Sequence, residues 1–72
     1  MIRRSERIGK KMYFLEPGTI IYRESSDCSY HKILAWSEIH QGYKTVVLDD
    51  EGNETDFEDL LLVTDLIGDY IV

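Results

Sequence analysis

Residues 43–63 read YKTVVLDDEGNETDFEDLLLV, and their pattern decides the fold class. The first six are rich in aromatic and β-branched side chains, the composition of a strand on a half-buried pleated surface. Asp49, Asp50, Glu51, Gly52 and Asn53 follow as an acidic turn, in which glycine and asparagine accept the positive φ of a tight reversal. Glu54, Thr55 and Asp56 give a short return strand. Phe57, Glu58 and Asp59 are expected to make a single 3₁₀ turn, and residues 60–63 a last strand. A hairpin with a further strand leaving it is the centre of a small barrel.

Upstream, Gln41 and Gly42 make a tight connection into this hairpin. Residues 30–40 form a second long strand, in which Ile33, Ala35, Ser37 and Ile39 alternate with Leu34, Trp36 and Glu38. A helix is the alternative there, because Ile33, Trp36 and His40 also fit i, i+3, i+7 spacing. Residues 19–24 read as a strand with Ile20 and Tyr22 on one face and Ile21 and Arg23 on the other. Residues 25–29 are a polar loop, and Glu16-Pro17-Gly18-Thr19 is a turn of type II chemistry. Residues 64–72 are either a short helix or one more extended segment; Gly68 argues against a long helix. Residues 1–11 show no periodicity and are expected to form a flexible basic tail, with a single domain over 12–72.

Seventy-two residues, 43% hydrophobic and 31% charged, make one globular domain near the size where a single core barely suffices. The lone Cys28 excludes an internal disulfide and favours a reducing, cytoplasmic setting. No apolar run is long enough to span a bilayer, and the basic start has no apolar stretch after it, so neither a membrane segment nor a signal peptide is expected. Charge is unevenly placed. Residues 1–15 hold Arg3, Arg4, Arg7, Lys10 and Lys11 against Glu6, a net of +4. The other 57 hold Arg23, Lys32 and Lys44 against 13 acids, a net of −10, and together they give −6. A body of that sign repels nucleic-acid phosphates and attracts basic surfaces.

Short strands at this spacing, with a 3₁₀ turn before the last, resemble an SH3-like barrel of about five strands. Within that class the chain is similar to Tudor-type domains through Gly18, Tyr22, Tyr30, the turn from Asp49 to Gly52 with Asn53, and Asp59-Leu60. That resemblance implies an aromatic cage for methylated cations, with Tyr22 and Tyr30 as two walls. The remaining walls fall on Leu48, Asp49 and Glu51, none aromatic, so an ordinary cross-strand tyrosine pair is the competing expectation. A fainter similarity is to the RNA-polymerase-interacting domain of the CarD family, which implies protein binding by a sheet edge.

Candidate chemistry is sparse. Cys28 and His31 have a usable metal spacing, but with His40 they supply three ligands and no second pair. A nucleophile built from Cys28 and either histidine lacks a recognisable setting. Trp36 is either core or an interface anchor. The expectation is therefore an all-β, non-catalytic protein-binding module without metal or cofactor. It would dock on a basic protein partner through Tyr22, Tyr30, Trp36, Asp49, Asp50 and Glu51, with no direct nucleic-acid or membrane binding. The alternative is an acidic nucleic-acid mimic that inhibits a DNA- or RNA-binding protein.

Overall fold

The acidic turn and the strand before it form as the sequence predicts, and the return strand is longer than expected. Strand β4 (Gly42–Leu48) pairs antiparallel with β5 (Glu54–Leu62). The Asp49 carboxylate organises the reversal, its Oδ1 accepting from Glu51 N at 2.9 Å and Asn53 N at 2.8 Å. Gly52 takes φ +85° there, a backbone conformation that a side chain would strain.

These elements belong to a computed structural model that describes residues 6–9, 14–24, 26 and 28–72. Of the expected flexible tail over residues 1–11, residues 6–9 are described and belong to the fold, Glu6–Arg7 pairing with Tyr70–Ile71 and Ile8 buried; the rest lies outside the described residues. The remaining strands are β1 (Glu6–Arg7), β2 (Ile20–Tyr22), β3 (Tyr30–Ser37) and β6 (Tyr70–Ile71), with a 3₁₀ turn at Val63–Leu66. All pairings are antiparallel, in the order β1-β6-β2-β3-β4-β5. The all-β expectation holds, and the arrangement is compatible with an SH3-like barrel. Six strands lie among the described residues, in keeping with the about five expected, and as described the sheet is not closed, with β1 and β5 at its edges.

The 3₁₀ turn does precede the last strand, but it falls at Val63–Leu66 rather than at residues 57–59. Strand β5 runs through Phe57, Glu58 and Asp59: Glu58 and Asp59 pair with Val46 and Thr45, and a bulge over residues 55–57 takes up Phe57. Val46 pairs with Glu58 and Leu48 with Glu54, so β5 carries two more residues than β4 across that interval. The Thr55 hydroxyl bridges the gap, donating to Val47 O at 2.7 Å and accepting from Phe57 N at 3.2 Å. The 3₁₀ turn starts where Asp65 Oδ2 accepts from Leu62 N at 3.0 Å, half of a capping box.

A second bulge explains the helix-like spacing in residues 30–40, which form β3 and a turn, not a helix. The register slips between Ile33 and Ala35, making Leu34 the extra residue and turning Trp36 onto the face of Ile33. That face builds the core. Ile8, Leu15, Ile21, Ile33, Tyr43, Leu61 and Leu66 form one buried cluster, with Trp36 and Ile71 packed against it. The Trp36 and Tyr43 rings meet edge to face at 4.8 Å between centroids, and Tyr43 Oη accepts from Leu15 N at 3.0 Å. Gly42 allows β4 and β5 to close: a Cβ there would sit 2.7 Å from Leu61 O. No helix of the described residues is long and apolar enough to cross a membrane.

Candidate functional site

Cross-strand rows show which candidate residues share a neighbourhood. Tyr70 pairs with Tyr22, Tyr22 with Tyr30, Tyr30 with Leu48, and Leu48 with Glu54. Residues opposite one another in a sheet share a face, so three tyrosines and a leucine form a continuous row on the side away from the main core. The row ends beside the 49–53 turn. Tyr22, Tyr30, Asp49, Asp50 and Glu51 therefore gather at one end of the sheet. Trp36 pairs with Tyr43 near the opposite end, its Nε1 donating to Glu38 Oε2 at 2.7 Å.

The Tyr22 and Tyr30 rings lie 5.0 Å apart at 40°, a tilted pair. Tyr22 is buried, only 8% exposed, and Leu48 is as well covered. Tyr30 is half-buried, and its buried hydroxyl has no hydrogen-bond partner among the described residues. One row along, Lys32 Nζ donates to Glu54 Oε2 at 3.1 Å. That bond joins β3 to β5 across β4, so its two side chains arch over Val46 and Leu48. The aliphatic stems explain why both are buried on an outer face.

His31 is 3% exposed and serves the fold. Thr45 Oγ1 donates to Asp59 O at 3.3 Å and lies 3.1 Å from His31 Nδ1. A hydroxyl has one proton, so with that proton on Asp59 O it accepts from Nδ1–H. Nε2 is then the acceptor for Ser29 Oγ at 2.8 Å. Both ring nitrogens are thus engaged by hydroxyls. His40, exposed at the far end, is 2.8 Å from Ser37 Oγ, and Cys28 is exposed. Among the described residues no three His, Cys, Asp or Glu side chains gather to hold a metal ion.

The residue that sequence reasoning missed is Phe57. The β5 bulge turns it outward and leaves it 71% exposed, in the middle of the acidic edge strand. Glu54, Asp56, Glu58 and Asp59 around it are all exposed, as are Asp49, Asp50 and Glu51 in the adjoining turn. Ile39, at 91%, is the most exposed large apolar side chain described, and it lies in the turn at the Trp36 end. An aromatic flanked by acids at positions 54–59 was visible in the sequence. What was missing was the bulge that separates it from the core.

Comparison with known proteins adds no identification: no family model matches the chain, and neither a curated protein nor a solved structure matches it.

Proposed function

We propose that the chain is a non-catalytic protein-binding module that docks on a basic partner surface through the β4–β5 hairpin. One observation carries the reading: Phe57 stands exposed on an edge strand, flanked by Glu54, Asp56, Glu58 and Asp59. Exposed aromatic anchors ringed by polar groups dominate the energetics of many interfaces. The surrounding acids favour a partner of opposite charge and speed its approach. The Asp49–Glu51 turn extends the same charge to the end of the sheet that holds Tyr22 and Tyr30. The proposed scaffold is a Tudor-type SH3-like barrel acting in the cytoplasm, without a cofactor.

The nucleic-acid mimic is the weaker alternative. Residues 54–59 span roughly 20 Å at ~3.3 Å per residue, so four acids give about one charge per 5 Å. One nucleic-acid strand carries a phosphate for about every 3.4 Å of axis. Phe57 also breaks the run with a large apolar group.

The test is affinity capture with mass spectrometry to identify the partner, followed by titration of the purified partner. Phe57→Ala should weaken binding about tenfold or more, and association should slow as salt is raised. Equal affinity for Phe57→Ala, together with association indifferent to salt, would dismiss this reading. Binding abolished by neutralising the acids, unchanged by Phe57→Ala and competed by duplex DNA or RNA would favour the mimic.

A further inference from the structure

The β4–β5 ladder determines which backbone groups of the edge strand face outward. Val63 N–H donates to Gln41 O at 3.1 Å, and the register pairs Gly42 with Leu62, Tyr43 with Leu61 and Thr45 with Asp59. Antiparallel pairs alternate between bonded and non-bonded types. Leu61 and Asp59 therefore bond to β4, while Glu58, Leu60 and Leu62 turn their N–H and C=O groups away from it. The neighbouring ladder agrees. Ile33 exchanges bonds with Thr19 and Gly18 on its other side, which leaves its β4 partner Thr45 facing β5. Among the described residues β5 is the last strand of the sheet, so its outward groups form an open edge.

Two of those outward donors are already occupied by carboxylates. Leu60 N–H donates to Asp59 Oδ1 at 2.8 Å, and Leu62 N–H to Asp65 Oδ2 at 3.0 Å. Bonds to an ionised acceptor are stronger than those between neutral groups. The caps come from different places, one from the strand and one from the 3₁₀ turn, yet they protect alternate positions along the same edge.

Uncapped, this edge would be self-complementary. Antiparallel pairing of two β5 strands about Leu60 sets Leu60 against its own copy, Leu62 against Glu58 and Leu61 against Asp59. No acid then faces an acid across residues 58–62. The bonded pairs in this register need the outward amides of Leu60, Leu62 and Glu58, and the first two are the capped ones. Leu62, 40% exposed, adds apolar surface to the contact.

We propose that Asp59 and Asp65 seal the β5 edge against antiparallel pairing with a second copy of this chain. Proteins commonly blunt exposed edges with charge, bulges or short strands. Here the 55–57 bulge interrupts the first half of the edge and the two aspartates close the second half. The seal operates whatever the module docks on.

The test combines amide hydrogen exchange on the ¹⁵N-labelled protein with sedimentation velocity. In the native protein the Leu60 and Leu62 amides should exchange about tenfold or more slowly than unprotected amides, although they sit on a sheet edge, and the chain should sediment as a monomer. Asp59→Ala should release Leu60 alone, and Asp65→Ala should release Leu62 alone. The double alanine variant should dimerise as its concentration rises. Asp59→Asn with Asp65→Asn keeps an acceptor oxygen at each site, so it should retain both the protection and the monomer. Unprotected Leu60 and Leu62 amides in the native protein would overturn the proposal without recourse to any variant. A monomeric double alanine variant, or an asparagine variant that dimerises like the alanine one, would also overturn it.

Discussion

Arg23 and Asp69, 46 positions apart, meet at 2.6 Å between Nε and Oδ2, with the Asp69 side chain fully buried and Arg23 nearly so. Arg23 follows β2 directly, and Asp69 directly precedes β6. The pair therefore ties the strand that carries Tyr22 to the C-terminal segment. Asp69 is held further by its backbone, which donates to Leu66 O at 3.0 Å and accepts from Ile8 N at 2.8 Å.

Removing the guanidinium should be costly. A domain of this length is stabilised by only ~4–11 kcal/mol at the usual stability per residue. Breaking a buried ion pair from one side costs about 3–5 kcal/mol, because the remaining charge stays buried. Arg23→Met should therefore remove much of the stability. Arg23→Met with Asp69→Leu should be less harmful than Arg23→Met alone, since no charge is left in the interior. Urea unfolding followed by the fluorescence of the single tryptophan, Trp36, measures both variants.

Gly42 gives a second stability prediction, with a steric cause. A Cβ at this position meets Leu61 O at 2.7 Å and Leu62 Cα at 3.0 Å, and both are backbone atoms that cannot rotate away. Gly42→Ala should destabilise by about 1–3 kcal/mol, the usual cost of overpacking. It should also perturb the amide signals of residues 61 and 62. Thermal unfolding indistinguishable from the native protein would refute the close approach of β4 and β5.

Tyr30→Phe should act in the opposite direction. The Tyr30 hydroxyl is buried without a hydrogen-bond partner among the described residues, and such a group costs roughly 1–3 kcal/mol in desolvation. Deleting it while keeping the ring preserves the contact with Tyr22. The variant should be as stable as the native protein or more so by chemical denaturation. A clear loss of stability would mean that the hydroxyl is bonded in solution.

Phe57→Ala should leave folding intact, with a stability change within about 0.5 kcal/mol, because the ring is 71% exposed. Any loss of partner binding in that variant is then a property of the surface. A large drop in melting temperature would place Phe57 in the fold instead.

The hairpin over residues 42–62 and the turns at 16–19 and 49–53 were legible because short-range chemistry specifies them. The Pro17-Gly18 turn closes with Thr19 N donating to Glu16 O at 3.1 Å, and Asp49 bonds within its own loop. The errors came from register. At Leu34 one inserted residue moves Trp36 to the face of Ile33, which imitates a helical period. Near Thr55 two inserted residues let a strand continue through Phe57-Glu58-Asp59, where the local pattern suggested a 3₁₀ turn. A bulge is a relation between two strands, and neither strand's own period reveals it. The same holds for Arg23 and Asp69: alternation placed Arg23 on the face of Ile21 and left residues 64–72 as a short helix or an extended segment, and neither reading brings the two together. Of the candidate surface, the exposed acids were legible and Phe57 was not, since its exposure depends on the second bulge.

Direct nucleic-acid binding is the remaining expectation, and the opposed charges of the two parts of the chain make it testable. Residues 1–15 supply a net +4 and the rest −10. Nucleic-acid affinity arises largely from releasing counterions as basic side chains neutralise phosphates. Five basic residues allow at most about five phosphate contacts, with a slope near −0.9 per contact in log affinity against log salt on duplex DNA. At 0.15 M salt the screening length is roughly 8 Å, so the acidic body still repels a phosphate backbone drawn close to it. Among the described residues, β4 and β5 offer no basic face to a groove, because they expose Lys44 among Glu54, Asp56, Glu58 and Asp59. The isolated chain should therefore bind DNA and RNA more weakly than about 1 µM at that salt concentration, the tighter end of ordinary non-specific affinity. Fluorescence anisotropy with labelled duplex and single-stranded oligonucleotides measures this. Sub-micromolar binding that vanishes when Arg3, Arg4, Arg7, Lys10 and Lys11 are replaced by glutamine, with β1 and the buried Ile8 left in place, would show that the basic segment overcomes the charge of the body.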